Sequence, residues 1–139
     1  MAELSVTLEP LVDTVISGHA RTHDITVDRP AEKGGTDKGP MGGELLLLAL
    51  GGCFLSTLIG IVKAEESSLD LTQVNVRVIG SLETAPSRFA RILVAVSAPQ
   101  RFQDQLAKPL LKAERACIVH NSIKNAVDVV FEQHWTPSV

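Results

Sequence analysis

The chain has 139 residues, a formal net charge of -3 at pH 7 and a hydrophobic content of 45%. This length suits one domain with its own core, so we expect a single domain over residues 1–139. The acidic balance, with four Phe, one Trp and no Tyr, argues against nucleic-acid binding, because no basic patch with interleaved aromatic residues occurs. No leader with a charged start and an apolar core opens the chain, which favours a cytoplasmic location.

The first 28 residues alternate between apolar and polar side chains in short runs separated by turn-forming residues. This pattern predicts a three-stranded meander. Its strands are expected near residues 3–9, 12–16 and 20–28. Three side chains assigned to the third strand fall at alternate positions and so share one face: His19, Arg21 and His23. That face is either a solvated surface or a polar wall facing a reactive group. A glycine-rich loop over residues 31–40 follows the meander and is expected to be flexible.

The longest apolar stretch spans residues 39–66 and has no charged residue between Glu44 and Lys63. It is too long for one strand and is rich in Leu and Ala, so it predicts a helix. Glu44 places a carboxylate in the first turn and Lys63 an ammonium group near the other end, as the helix dipole favours. The length also suits a membrane-spanning helix, but the small residues and the lack of a basic flank favour a helix outside the membrane.

A helix that is apolar all round has to be covered on every face. Gly52, Ser56 and Gly60 fall four residues apart on this helix, and such small residues let another backbone approach closely. The neighbour is either a second helix or a second subunit. The N-terminal meander also has little of its own chain to cover it. An obligate dimer with a shared core explains both features.

Two alternating runs after the helix, residues 71–83 and 88–98, predict an antiparallel hairpin with Pro86 in its turn. A final alternating run over residues 127–135 predicts a last, edge-capable strand. Because the strands are segregated from the helices, the sequence predicts an α+β fold with antiparallel pairing.

The region between the hairpin and the last strand has apolar residues at helical spacing. Residues 100–116 repeat apolar side chains at helical intervals, and Pro109 interrupts them. We expect Pro109 to divide a first short helix from a second that runs to Cys117, because proline cannot donate a helical hydrogen bond. Residues 120–126 are expected to add a further turn or two of helix.

A set of motifs runs through the chain in a distinctive order. They are DRP at 28–30, GG at 34–35, D at 37, GP at 39–40, ELLLLALGGC at 44–53 and ERAC at 114–117. In these motifs, and over nearly its whole length, the chain resembles the OsmC/Ohr family, most of all its OsmC-like branch. The resemblance implies an OsmC-like α+β fold, with antiparallel sheets around long central helices in an intertwined homodimer. It also implies two active sites at the subunit interface.

The resemblance further implies a reaction and its partners. A reactive cysteine, Cys53, would reduce organic hydroperoxides, and Cys117 would resolve the resulting sulfenic acid as a disulfide. The implied partners are a small-molecule hydroperoxide, a dithiol reductant such as a lipoyl group, and a second copy of the chain. Neither a cofactor, nor a nucleic acid, nor a membrane is implied.

Peroxidatic chemistry needs a thiolate, so the pKa of Cys53 has to be lowered by its surroundings. Cys53 lies well inside its helix, where the dipole of that helix does not act. We therefore expect a basic side chain from elsewhere to activate it. The candidates for a role beside the two cysteines are Glu44, Arg21 and Arg29, with His19 and His23 as further sources of positive charge.

The chain departs from the pattern of the well-studied hydroperoxide reductases at two places. Their glutamate, which pairs with an activating arginine, corresponds to Gly43 here, and Glu44 matches the neighbouring position. Their common Cys-Pro pair after the second helix is Cys117-Ile118 here. Both departures bear on the peroxidase activity and leave the predicted fold unchanged.

Two other classes of function remain open from the sequence. Cys117 and His120 have a short Cys/His spacing, and Cys53 with another histidine could complete a tetrahedral metal site. Alternatively, an apolar pocket at a dimer interface would make the protein a non-catalytic module that binds a small hydrophobic ligand.

Overall fold

A computed structural model describes residues 1–137 of the chain. These residues fall into two units, the first spanning Met1–Leu46 and the second beginning at Leu47. The boundary lies within the first long helix, and the units are described separately below. The expectation of a single domain over residues 1–139 stays a prediction.

The first unit contains the predicted meander. Its strands are β1 (Thr7–Pro10), β2 (Ile16–Ala20) and β3 (His23–Val27), which pair antiparallel in the order β1-β2-β3. The first and third strands are shorter than predicted, the second is shifted by four residues, and the boundary between the second and third was wrong. The chain reverses at Arg21, whose φ of 56° is left-handed. His19 therefore lies in β2 and His23 in β3, and the predicted single row of His19, Arg21 and His23 does not exist.

A buried carboxylate organises the loop after β3. Asp28 is only 2% exposed. Its carboxylate accepts hydrogen bonds from the hydroxyls of Thr14 (2.6 Å) and Thr36 (2.5 Å) and from the backbone N–H groups of Arg29 (2.7 Å) and Lys38 (3.0 Å). These bonds, led by those from the two threonines, hold the pKa of Asp28 well below its usual range. The loop is thus tied to one acidic side chain.

Two glycines of this loop are fixed by close backbone contacts. A Cβ atom at Gly35 would lie 2.0 Å from the carbonyl oxygen of Arg29, and one at Gly39 would lie 2.2 Å from that of Thr26. Any other residue at either position would force the backbone apart. The GG and GP motifs are therefore explained by packing within the first unit.

The predicted long helix is present as α1 (Gly42–Ala64). The backbone N–H of Met41, just before the helix, donates to the Glu44 carboxylate at 2.9 Å, which is half of a capping box. Leu50, Phe54, Leu58 and Val62 form one buried row. The opposite row of Gly52, Ser56 and Gly60 is exposed, so residues 1–137 of one chain do not cover every face of this helix as expected.

By length and composition alone, α1 is apolar enough to cross a membrane, with a mean hydropathy of 2.5 over its most apolar window. The core helix of a soluble protein meets the same criterion, so this property by itself says little about location.

The second unit is built on a three-stranded sheet in the order β4-β5-β6. The strands are β4 (Asn75–Glu83), β5 (Arg88–Pro99) and β6 (Asp128–Thr136). The hairpin of β4 and β5 is antiparallel, as predicted. The last strand pairs parallel to β5, so this sheet is mixed and the predicted antiparallel pairing holds here only for the hairpin. The reason is that helices connect β5 to β6, and such a crossover returns the chain in the same direction.

The connection between β5 and β6 contains a short 3₁₀ turn (Gln100–Phe102), α2 (Gln103–Ala116) and α3 (Ile118–Ile123). Pro109 lies inside α2 and does not divide it, contrary to the prediction. Its ring is on the buried face with Leu106 and Leu110, so packing offsets the missing hydrogen bond. The chain turns instead at Cys117, which is extended (φ -71°, ψ 113°) between the two helices.

The hydrophobic core of the described residues lies in the second unit. It joins the buried row of α1, the inward face of β5 and the buried face of α2. Its members are Leu50, Phe54, Leu58, Val62, Val74, Ile92, Val94, Val96, Ala98, Phe102, Leu106, Leu110, Ala113 and Cys117. One of the two cysteines is thus a core residue.

Candidate active site

Cys53 lies in the middle of α1 and is half-buried, next to the buried Phe54. The hydroxyl of Thr57, one turn later, donates to the backbone carbonyl of Cys53 at 2.8 Å. This bond occupies the Thr57 side chain on the row that it shares with Cys53. Cys53 therefore lies in a regular part of α1.

Cys117 is fully buried at the junction of α2 and α3. Its sulfur accepts the backbone N–H of His120 at 3.5 Å and so serves as the N-terminal cap of α3. The buried face of α2, including Leu110 and Ala113, fixes the approach of the chain to this point. Both cysteines are free thiols.

The structure brings the two cysteines together and shifts their pKa values in opposite directions. Burial by itself raises the pKa of Cys53. The N–H groups of Val119 and Ile118 and the thiol of Cys117 more than offset this effect, so the pKa of Cys53 falls below its ordinary value of 9.0. Backbone N–H groups at the start of α3 thus lower this pKa within one chain, and the expected contribution of a basic side chain stays a prediction.

Cys117 shifts in the opposite direction. Burial raises its pKa above 9.0, and the neighbouring sulfur of Cys53 adds to the rise, while the N–H of His120 opposes it. The more exposed thiol is thus the more acidic one, and the buried thiol keeps its proton. A nucleophilic thiol needs the lower pKa, because its thiolate is the reactive form, and a resolving thiol acts only after the sulfenic acid has formed.

Aromatic side chains pack beside the start of α3. The ring of Phe131 on β6 lies 5.1 Å from that of Phe54 and 5.0 Å from that of His120, measured between ring centroids. His120 meets Phe131 edge-on, at 85°. Phe131 is therefore a shared aromatic neighbour of Phe54, which follows Cys53, and of His120, whose N–H donates to Cys117.

The other predicted site residues belong to the first unit. Arg21 is exposed in the turn between β2 and β3. Arg29 is exposed, and it lines a cavity of about 440 Å³ together with Lys33. Glu44 caps α1, as described above. Roles for Arg21, Arg29 and Glu44 in activating Cys53 stay predictions.

The two histidines of the meander differ in their surroundings. Nδ1 of His19 lies 2.6 Å from the Asp24 carboxylate and its Nε2 lies 3.2 Å from that of Glu9. These hydrogen bonds, the one to Asp24 first, raise the pKa of His19. His23 is exposed on β3. His19 is thus held by carboxylates of the neighbouring strands.

The family model described as OsmC-like protein matches residues 35–132. The chain belongs to the OsmC-like protein family. The match includes both cysteines and runs from within the loop after Asp28 to within β6. It confirms the family resemblance drawn from the motifs. No curated protein matches the chain in sequence.

Solved structures share the OsmC-like fold over nearly the full chain. A hypothetical protein from Aquifex aeolicus VF5 is 18% identical, with a TM-score of 0.80 and 100% of both chains covered. An OsmC-like protein from Mycoplasma pneumoniae is 19% identical, with a TM-score of 0.80 and 99% of both chains covered. An organic hydroperoxide resistance protein OsmC from Legionella pneumophila is 18% identical, with a TM-score of 0.67, covering 96% of this chain and 98% of the other. The predicted α+β fold is confirmed.

The metal-site alternative gains no support from this OsmC-like chain. Within residues 1–137, no group of three or more His, Cys, Asp or Glu side chains is arranged to hold a metal ion. The sulfur of Cys117 faces the backbone N–H of His120, so the short Cys/His spacing reflects a helix cap.

Sequence reasoning missed the residues that tune Cys53. Ile118 and Val119 act through backbone N–H groups, which no side-chain pattern reveals. The available signal was a cysteine placed directly before a short helical segment, a position where the first N–H groups of the helix are unpaired. The Ile at the family's Pro position adds one such group.

Proposed function

We propose that this OsmC-like protein is a thiol-dependent peroxidase that reduces organic hydroperoxides, with Cys53 as the nucleophile and Cys117 as the resolving thiol. The adjacency of these two thiols, with opposite pKa shifts, is the single observation that carries the proposal. The hydroperoxide resistance description of the Legionella relative supports the substrate class.

The first step uses the thiolate of Cys53. Its sulfur attacks the outer oxygen of the hydroperoxide, the O–O bond breaks, and the alkoxide leaves as an alcohol after taking up a proton. The product on the protein is a sulfenic acid. The N–H groups of Val119 and Ile118 favour the thiolate before this attack, because hydrogen bonds to a charged acceptor stabilise that form.

The second step uses the thiol of Cys117. Its sulfur attacks the Cys53 sulfur, an S–S bond forms, the S–O bond breaks, and the hydroxide leaves as water. A dithiol reductant then exchanges with the disulfide and returns both thiols. Without Cys117, excess hydroperoxide would drive the sulfenic acid to the sulfinic acid, which thiols do not reverse.

The surroundings of Cys53 favour alkyl or lipid hydroperoxides over hydrogen peroxide. Phe54, the next residue in the sequence, is buried, and Leu55 and Val119 are partly buried against the core. An apolar substituent gains from contact with such side chains, whereas hydrogen peroxide has none to bury.

The proposal includes a homodimer. The exposed row of Gly52, Ser56 and Gly60 on α1 has no side-chain bulk, and Leu48 beside it is 62% exposed. In the first unit, Leu4, Val6, Leu8, Leu11, Val12 and Ile25 are also exposed. A second copy of the chain would cover such surfaces. In that assembly Arg21, Arg29 and Glu44 are candidates to assist Cys53, and sedimentation that gives a stable monomer would contradict it.

Turnover with cumene hydroperoxide tests the proposal. Consumption of a dithiol such as dihydrolipoamide should depend on the hydroperoxide and vanish in Cys53→Ser. Cys117→Ser should turn over poorly and accumulate oxidised Cys53. Equal rates in the wild type and Cys53→Ser would overturn the proposal, and saturable binding of the hydroperoxide without turnover would favour the hydrophobic-ligand module instead.

A further inference from the structure

His120 has a buried nitrogen without a partner. Among the described residues 1–137, its Nδ1 is the single buried side-chain nitrogen or oxygen that makes no hydrogen bond. Leaving such a group unpaired costs about 1–3 kcal/mol, so native structures keep few of them. A nitrogen of this kind, on the residue whose backbone N–H donates to the Cys117 sulfur, points to a chemical role.

The position of His120 is tied to Cys117 through the backbone. Its own N–H donates to the Cys117 sulfur at 3.5 Å, so the residue already touches one of the two reacting atoms. Its ring packs edge-on against Phe131, which also packs against Phe54, the residue after Cys53. The cap of α3 uses only the backbone of His120, so its side chain is free for another role.

The imidazole of His120 is kept neutral at pH 7. Burial lowers its pKa below the ordinary 6.5, while Glu114 opposes this shift and Lys124 adds to it. The other titratable groups of this region are the thiol of Cys117, whose sulfur accepts the backbone N–H of His120, and the thiol of Cys53, which interacts with Cys117. A neutral imidazole can accept a proton, and one whose buried nitrogen has no other partner is available to do so.

The second step of the proposed reaction needs such an acceptor. Cys117 is buried and keeps its proton, yet its sulfur has to attack as a thiolate or lose the proton as it attacks. The leaving hydroxide, in turn, has to gain a proton. One group that takes the first proton and returns it to the hydroxide satisfies both demands.

We infer that His120 is the acid–base residue of disulfide closure, an inference that rests on the proposed peroxidase function. The Cys117 S–H bond breaks and its proton passes to the imidazole. The Cys117 sulfur bonds to the Cys53 sulfur as the S–O bond of the sulfenic acid breaks. The imidazolium then gives its proton to the departing hydroxide, which leaves as water. Imidazole is regenerated, and no further oxidant or reductant is needed.

Separate measurement of the two steps tests this inference. The reduced protein is mixed with one equivalent of cumene hydroperoxide, sulfenic acid on Cys53 is trapped with dimedone, and disulfide formation is followed by rapid quenching. The variants are His120→Phe and His120→Gln, which both keep the backbone N–H that donates to the Cys117 sulfur. His134→Gln, an exposed histidine on β6, is the matched control.

We expect sulfenic acid to form at the wild-type rate in every variant. Disulfide closure should be about 10²-fold slower in His120→Phe and His120→Gln and unchanged in His134→Gln. In the wild type, closure should slow as the pH falls through the depressed pKa of His120, because the protonated ring accepts no proton. That dependence should be absent in His120→Phe, and added imidazole should restore part of the lost rate.

The outcomes separate this inference from the proposed function. If the wild type forms no sulfenic acid, the peroxidase proposal fails and this inference fails with it. If sulfenic acid forms but both His120 variants close the disulfide at the wild-type rate and pH dependence, only the role of His120 is overturned. His120→Gln keeps a polar side chain, so it tests the role even where His120→Phe does not fold.

Discussion

The thiol of Cys117 lowers the pKa of Cys53, while Cys53 raises the pKa of Cys117. Two cysteines separated by 63 residues of sequence thus act on one another as a proton donor and an acceptor. The pair forms because Cys117 ends α2, which packs in the same core as α1. The reactivity of each thiol is therefore a property of the fold.

The acidity of Cys53 can be measured by alkylation. Reaction with iodoacetamide as a function of pH should give a midpoint below the ordinary thiol value of 9.0 for Cys53, and modification of Cys117 should lag behind. Cys117→Ala should raise the midpoint of Cys53, because it removes one of the groups that stabilise the thiolate. Faster modification of Cys117 than of Cys53 in the wild type would show that the assignment is reversed.

Replacement of Ile118 by proline should weaken the thiolate without breaking the fold. Ile118 is the first residue of α3, where proline is tolerated because its missing N–H has no helical partner. The substitution deletes one N–H that lowers the pKa of Cys53, so the alkylation midpoint should rise and the rate with cumene hydroperoxide at neutral pH should fall. Ile118→Leu keeps the N–H and serves as the control. An unchanged midpoint in Ile118→Pro would mean that this N–H does not act on Cys53.

The loop of the first unit should be sensitive to acid through Asp28. Its folded-state pKa is depressed below the usual 3.8, so its carboxylate stabilises the loop above that pH and this contribution is lost as the pH falls through the folded pKa. Asp28→Asn should remove the acid-dependent part of the stability and increase proteolysis of the loop at neutral pH. Glu32→Gln, an exposed change in the same loop, should do neither. Identical acid profiles for Asp28→Asn and the wild type would contradict the role of Asp28.

The core that positions Cys117 should depend on Leu106. This side chain is 0% exposed, so Leu106→Ala should lower the free energy of unfolding by about 2–5 kcal/mol. Leu111 on the same helix is 50% exposed, and Leu111→Ala should cost less than about 1 kcal/mol. Denaturant unfolding monitored by circular dichroism measures both changes. Equal losses from the two substitutions would show that α2 buries a different face.

Much of the architecture follows from local pattern. The apolar run containing Cys53 predicts α1, and strict alternation predicts the hairpin of β4 and β5. The parallel pairing of β6 is set by the crossover through α2 and α3, which alternation alone does not reveal. Likewise, the reversal at Arg21 uses a left-handed residue that is not glycine, so no glycine signals it.

The candidate site was predictable only in part. The motifs indicate Cys53 and Cys117, because their residue types and spacing resemble those of a family with known thiol chemistry. Beside the thiol of Cys117, the groups that lower the pKa of Cys53 include main-chain N–H groups of Val119 and Ile118, which are brought near by tertiary packing. A side-chain pattern predicts cations but does not reveal such N–H groups at the start of α3.

Peptide mapping after oxidation tests the central relationship most directly. The reduced protein is treated with one equivalent of cumene hydroperoxide, blocked with an alkylating reagent and digested without reduction. The account predicts a single cross-linked pair of peptides joined through Cys53 and Cys117, and dimedone-labelled Cys53 in Cys117→Ser. Recovery of both cysteines as free, alkylated thiols after the hydroperoxide has been added would contradict it.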